Sequence, residues 1–434
     1  MNKGKLFLGS CFALTLALPA MAQTIVIHAG TLIAIPGTTP LVKQSIVIED
    51  GKVLRIENGY VRQDDSQTID LSCCHVLPGF IDMHVHLTSK VAPGGKLRVV
   101  TENSADLALR AAEYAKLTIE AGFTTVVDLG TGRRAHEKAI YALRDATREH
   151  RLPGPRIVAV GSPISPTGKS RTGLYRSEVE DVVGPQAVCN GADDCRRAVR
   201  EQVKRGADAI NFYNTGSLLD DYLVEQTFTD AEMLAIVETA HSLGRKVIAD
   251  GHTAAGVNAA IRAGADVLDT MPWPDKETWR LIRKNKTFFS PHLYAFAVSL
   301  GDTEESLRDG TTHWLPEPIL KRMLTVKQNT SSAQEAHQRG VRIAFGSDTG
   351  VINHGDNAGE FEELVKNGLS TMDAITTATV NAASALGMEQ IIGSLKKGYA
   401  ADIVAFENNP LQNISELRQV VFVMRDGVVY RNEL

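Results

Sequence analysis

The residues whose types and spacing can do chemistry are histidines. In Ile81-Asp82-Met83-His84-Val85-His86-Leu87 two imidazoles stand two positions apart. Residues two apart on a β-strand share a face, so His84 and His86 point the same way. Two imidazoles on one face form a clamp for a divalent cation. Three more apolar runs end in a group of the same kind: Val247-Ile248-Ala249-Asp250-Gly251-His252, Phe288-Phe289-Ser290-Pro291-His292 and Ile343-Ala344-Phe345-Gly346-Ser347-Asp348. A short His-x-His occurs by chance, and each histidine alone is as readily a satisfied core residue. Together, His84, His86, His252, His292 and Asp348 read as ligands around one point. Nitrogen and carboxylate donors suit zinc, with manganese or iron also compatible. Zinc-bound water ionises near neutral pH. Asp348 then reads as the general base, taking the proton of an attacking water.

Those runs must be strands whose ends converge. Strands are expected at 80–87, 124–129, 156–160, 209–213, 246–250, 266–269, 287–291 and 342–346. Helical spacing fills the intervals, as at 105–121, 192–205 and 230–243. Eight strands alternating with helices predict an α/β fold, a (β/α)8 TIM barrel, whose catalytic residues sit at the C-terminal strand ends. An open doubly wound sheet is the alternative that the pattern permits. The two ends differ. Residues 24–56, 401–406 and 420–430 are short strand-like runs punctuated by glycine, with no helical spacing between them. They predict a small β-sandwich assembled from both chain ends, 23–78 and 387–434, flanking a barrel over 79–386.

Longer motifs carry a family resemblance. Leu77-Pro78-Gly79-Phe80-Ile81-Asp82-Met83-His84-Val85-His86 resembles the first-strand signature of the amidohydrolase superfamily. Gly346-Ser347-Asp348-Thr349-Gly350 with His354-Gly355-Asp356-Asn357 resembles its eighth-strand segment. Ala378-Thr379-Val380-Asn381-Ala382-Ala383 and the stretch from Gly393 to Val404 are similar to its C-terminal part. The nearest subgroup is the imidazolonepropionase-like and Xaa-Pro dipeptidase-like hydrolases. The resemblance implies a barrel with a terminal β-sandwich, a metal-dependent hydrolase, a small-molecule substrate and a homo-oligomer. It gives Asp348 the roles of ligand and base.

The chain departs from that pattern twice. Where the subgroup carries a lysine whose carbamate bridges two metals, this chain has Asn211. Where the sixth strand ends in histidine, it has Thr270, and His292 one strand later either replaces it or supports the site from behind. One firmly held metal and a second held weakly or not at all are expected. Tyr213, Asn214, Trp273 and His354 are expected near the substrate, and Asp128 behind the ligands. Three activities follow: cleavage of an amide in a dipeptide or N-acyl amino acid; cleavage of a cyclic amide, a lactone or an aromatic amide such as ochratoxin; or binding without turnover, because the lysine is absent.

Composition agrees with a globular protein. Of 434 residues 43% are hydrophobic and 22% charged, and the net charge of −5 offers no basic field for nucleic acid. Lys3 and Lys5, the apolar run 6–20 and Ala20-Met21-Ala22 form a complete export signal over 1–22, too short to span a membrane comfortably. The chain is therefore expected to be secreted across the inner membrane into the periplasm. In that oxidising setting Cys189 and Cys195, which bracket a short polar stretch, are expected to form a disulfide. Cys73 and Cys74 precede an apolar strand and read as core.

Overall fold

The computed structural model describes residues 24–90, 101–130, 134–168, 187–216, 225–298 and 331–434, with residues 98, 218, 321 and 325 besides. The expected export segment 1–22 lies outside the described residues.

Both chain ends contribute to one sheet. Strands β1 (Thr24–Leu32), β2 (Leu41–Glu49), β3 (Lys52–Asn58) and β4 (Ser66–Pro78) come from the N-terminal end. The C-terminal strands β14 (Ile403–Phe406), β15 (Val420–Arg425) and β16 (Val428–Asn432) extend it, in the order β16-β15-β14-β4-β1-β2-β3. The seam is antiparallel, with Val404 opposite Leu77 and Ile403 opposite Pro78. The seven strands are one sheet rather than two facing ones. Ile27, Ile46, Leu71, Val76, Ile403 and Phe422 form its apolar core. A bulge falls between Ala29 and Thr31, where Gly30 is required because a Cβ there would stand 2.3 Å from the Ser72 carbonyl oxygen.

β4 runs directly into the parallel strands through Gly79. Here again a side chain has no room, since a Cβ would lie 2.2 Å from Thr124 Oγ1. β5 (Phe80–Val85), β6 (Phe123–Asp128) and β7 (Arg156–Ala159) pair in parallel, followed by the short β8 (Ile164–Ser165) and β9 (Ala187–Val188). Then come β10 (Ile210–Tyr213), β11 (Val247–Asp250), β12 (Val267–Asp269) and β13 (Phe288–Ser290), again parallel and in chain order. Helices α1 (Ser104–Glu120), α2 (Arg134–Arg148), α3 (Ala192–Arg205), α4 (Asp230–Ser242), α5 (Ala254–Ala263) and α6 (Lys276–Asn285) separate these strands. Their starts are chemically marked: Asn103, Thr229 and Asp275 each accept hydrogen bonds from the first turn of the helix they precede. The arrangement is a TIM-barrel-like α/β fold. Ile81, Met83, Val127, Val160, Ile248 and Val267 gather into an apolar cluster of their own.

The eighth expected strand, 342–346, is not a regular strand. Its backbone pairs with both neighbours, but only piecemeal. Ile343 bridges Phe289 and Thr349 bridges Val85, both parallel. Phe289 N donates to Arg342 O at 3.0 Å and Met83 N to Phe345 O at 2.8 Å. Just beyond the run, Asp348 takes a left-handed backbone, φ 55°. The segment still joins β13 to β5.

The register decides what meets at the strand ends. Tyr213 stands opposite Asp250, Asp250 opposite Asp269, and Asp269 opposite Ser290, so four strands end in one row. Cys189 and Cys195 are joined by a disulfide just before and within the first turn of α3. Cys74 is buried, as expected for core, but Cys73 is exposed. No helix among the described residues is long and apolar enough to cross a membrane.

Candidate metal centre

β5 is buried along its whole length, and Asp82 anchors its end. Asp82 Oδ1 accepts hydrogen bonds from the backbone N–H of His84 and of Ser347, both at 3.0 Å. Its Oδ2 accepts from Ser347 Oγ at 2.5 Å and Asn357 Nδ2 at 2.8 Å. Burial raises the Asp82 carboxyl above the ordinary range, although these four donors oppose it. Backbone bonds finish the seam: Asp348 N donates to His84 O at 3.0 Å and His86 N to Thr349 O at 2.7 Å. His84, His86 and Asp348 are therefore carried on two segments sewn together.

Their side chains converge. His84 Nε2 lies 2.9 Å from His86 Nε2 and 3.2 Å from Asp348 Oδ1, and His86 Nε2 lies 3.4 Å from the same oxygen. Ligands about 2.0–2.2 Å from one ion stand ~3.4 Å apart at the tetrahedral angle. Asp348 Oδ1 is buried and receives no hydrogen bond, a cost that a cation in this group would remove. The three residues thus fit one divalent ion, as two histidines and a carboxylate with open positions. His86 and Asp348 side chains keep 21% exposure while His84 keeps 7%, so the group opens on the His86 and Asp348 side.

A second group lies behind His84. His84 Nδ1 is 2.8 Å from Asp269 Oδ2, and His292 Nε2 is 2.7 Å from Asp269 Oδ1. The His84 and His292 rings meet edge to face, centroids 4.3 Å apart. Ser290 Oγ lies 3.0 Å from His292 Nε2 and Thr270 Oγ1 lies 3.2 Å from His292 Nδ1. All three members of this group are buried. Its charges are strongly tuned. Burial works against a charged His84, but Asp269 and Asp348 prevail and hold that imidazole well above its ordinary range. Burial and the neighbouring His84 push His86 down to about 4. His84 and its fellow histidines hold Asp269 and Asp348 below the carboxylate range against their burial.

Three of these strand ends are strained. Thr270, His292 and Asp348 all have left-handed backbones, φ 57°, 52° and 55°. Such residues cost on the order of 1–3 kcal/mol each and cluster at functional sites; for β-branched Thr270 the conformation is a true outlier.

The other expected residues lie elsewhere. Four of the five expected ligands fall into two groups of close-set donor atoms that share His84, and among the described residues His252 is in neither group. Its Nδ1 faces the Gly216 carbonyl at 2.9 Å, while Nε2 lies 3.7 Å from Asp250 Oδ1. Asn211 is buried, its Nδ2 3.5 Å from Leu129 O and its Oδ1 without a hydrogen-bond partner. His354 is buried rather than offered at a loop: it stacks on Tyr114, centroids 3.9 Å apart, with Nε2 2.9 Å from Ser89 O. Burial lowers its imidazole to about 4. Asp128 holds the chain after β5, accepting from Leu87 N at 2.7 Å and Gly130 N at 3.0 Å, and burial lifts it to about 6. Tyr213 is half-buried in the row of strand ends, and burial raises its hydroxyl. Asn214 is buried, and Trp273 is half-buried. The residue that sequence reasoning missed is Asp269. It ends β12, and the rule that drew attention to the other strand ends applies to it equally.

Comparison with known proteins places these residues in a shared framework. The amidohydrolase family model matches residues 75–430. The ochratoxinase of Aspergillus niger is 28% identical over 94% of this chain and 87% of its own. An imidazolonepropionase of Acinetobacter baumannii is 24% identical over 79% of this chain and 81% of its own. Among solved structures, a Xaa-Pro dipeptidase with methionine bound in its active site superposes with a TM-score of 0.85 at 32% identity, covering 94% of this chain and all of the other.

Proposed function

The chain belongs to the amidohydrolase family, and from that premise we propose that it is a metal-dependent hydrolase cleaving the amide bond of a dipeptide or N-acyl amino acid. The observation that carries the reading is the convergence of His84, His86 and Asp348 beside an Asp348 oxygen with no hydrogen-bond donor. These three residues would hold one divalent ion, with zinc the best match to the donors. Such an ion polarises a carbonyl and makes hydroxide available near neutral pH.

The chain's own residues do the rest. Asp348 turns Oδ1 toward the histidines. Its Oδ2 takes the proton of the attacking water and delivers it to the leaving nitrogen. Asp82, through Ser347 and the His84 backbone, keeps the base and the clamp in one geometry. Substrate enters from the more exposed His86 and Asp348 side, toward Tyr213. The likeness to a Xaa-Pro dipeptidase structure supports a small peptide-like substrate. The ochratoxinase relative supports an aromatic amide as the second reading, and the imidazolonepropionase relative a cyclic amide or lactone. We read the architecture as a (β/α)8 barrel over 79–386 with a β-sandwich from 23–78 and 387–434. The seven-stranded sheet supports the part of that reading in which both chain ends form one β unit. The Cys189–Cys195 disulfide supports export to an oxidising compartment such as the periplasm.

The test is a panel of Xaa-Pro dipeptides, N-acyl amino acids, aromatic amides and lactones, assayed on protein of known metal content. Turnover of the first two classes, lost on chelation and restored by zinc, is expected. Metal binding with no turnover on any member instead supports the binding-protein reading, which Asn211 motivates.

A further inference from the structure

His84 belongs to both three-residue groups, and a neutral imidazole has one lone pair. If Nε2 faces the ion beside His86 and Asp348, Nδ1 carries the proton. Among the described residues the carboxylate beside that nitrogen is Asp269, its Oδ2 2.8 Å away. Ring nitrogens that hold metals are commonly fixed this way, by a carboxylate on the opposite nitrogen. Asp269 Oδ1 lies 2.7 Å from His292 Nε2, and His292 is flanked by Ser290 and Thr270 hydroxyls. The whole chain is buried.

The same shared histidine limits the metal count. A second ion among His84, Asp269 and His292 needs the Nδ1 lone pair that the first arrangement has protonated. Asn211 and Thr270, meanwhile, supply neither a lysine nor a histidine at the strand ends where a second ion is expected.

We propose that Asp269 and His292 are positioning residues, not metal ligands, forming a buried His84–Asp269–His292 chain that fixes His84 Nε2 toward a single metal ion. This rests on the one-metal reading of His84, His86 and Asp348. The chain takes over the structural work of a second metal. It ties the ends of β12 and β13 to the end of β5, and it does so with side chains.

The experiment is zinc titration of the metal-freed protein by calorimetry, paired with the visible spectrum of the cobalt-loaded protein. Wild type is expected to bind one equivalent. Asp269→Asn should weaken zinc by about 10–100-fold, still at one equivalent, with the cobalt ligand-field bands unchanged because no ligand is lost. His292→Gln, at the far end of the chain, should give a smaller loss in the same direction, and it stands in should Asp269→Asn not fold. A merely structural role would move the melting temperature of the metal-free protein and leave zinc affinity alone. Three results overturn the proposal: zinc affinity in Asp269→Asn within twofold of wild type, a cobalt spectrum altered by either variant, or two equivalents in wild type falling to one in His292→Gln. If wild type binds no metal, the one-metal reading fails, and the proposal with it. If wild type binds one equivalent and both variants match it, only the proposal fails.

Discussion

Two sides of the site differ in what their side chains converge on. On the side of β5 and residues 345–349, hydrogen bonds sew the seam, since Asp82 takes four donors and backbone bonds join Met83, His84 and His86 to their partners, and the orphaned atom there, Asp348 Oδ1, points into the ligand group. On the side of β10 and β11, the strands keep their register but the side chains are poorly served. Asn211 Oδ1 and both amide atoms of Asn214 are buried without hydrogen-bond partners, and the His252 ring is turned to a carbonyl. Both sides share one backbone plan, yet only the first assembles a ligand group. Strand pairing preserves a fold without preserving its donors, because the ladder uses the main chain alone.

If the first side carries the chemistry, Asp348→Asn has the largest effect. Turnover should fall by about 10³-fold or more, with an unchanged circular dichroism spectrum; near-normal activity breaks the contrast. Dialysis against a chelator should come next. It removes activity and lowers the melting temperature, since an ion at 100 times its Kd stabilises by about 2.7 kcal/mol. Readdition of one equivalent should recover both.

The second side makes smaller and different predictions. Asn211→Lys should not raise the zinc content above one equivalent, and it should destabilise by about 3 kcal/mol or more as an unpaired buried amine. A gain to two equivalents means that this side needed only its lysine. Asn211→Leu should cost no more than about 1 kcal/mol in chemical denaturation, because it removes an amide oxygen that already lacks a partner and gives up one long hydrogen bond, Nδ2 to Leu129 O at 3.5 Å.

The least effect is expected behind β13. Glu360 accepts from Leu293 N at 3.0 Å and Tyr294 N at 2.7 Å, and burial raises its carboxyl well above the ordinary range. A group raised in the folded state stabilises below its unfolded pKa, about 4.3, and loses that contribution as pH climbs toward the folded value. Glu360→Gln should therefore gain on wild type in melting temperature as pH is raised from 4 to 8. A constant difference across that range removes Glu360 from the account.

Much of the frame was legible because it is local. The helix expected at 105–121 is Ser104–Glu120, and that expected at 192–205 is Ala192–Arg205. Apolar spacing and capping residues carry that information within a few turns. The alternation that puts His84 and His86 on one face is also local. The left-handed backbone at Asp348 was not legible, because no local spacing records it.

The sequence by itself determined the ligand types, the pairing of His84 with His86 and the alternation of strand with helix, since these follow from spacings of two to four residues. Only the tertiary structure decided which strand ends meet. Register across β10 to β13 put Asp269 behind His84, turned His292 toward Asp269, and left His252 facing a carbonyl. Those outcomes are set by pairing between segments 19 or more residues apart in the chain, as Asp250 is from Asp269, and local pattern holds no record of it.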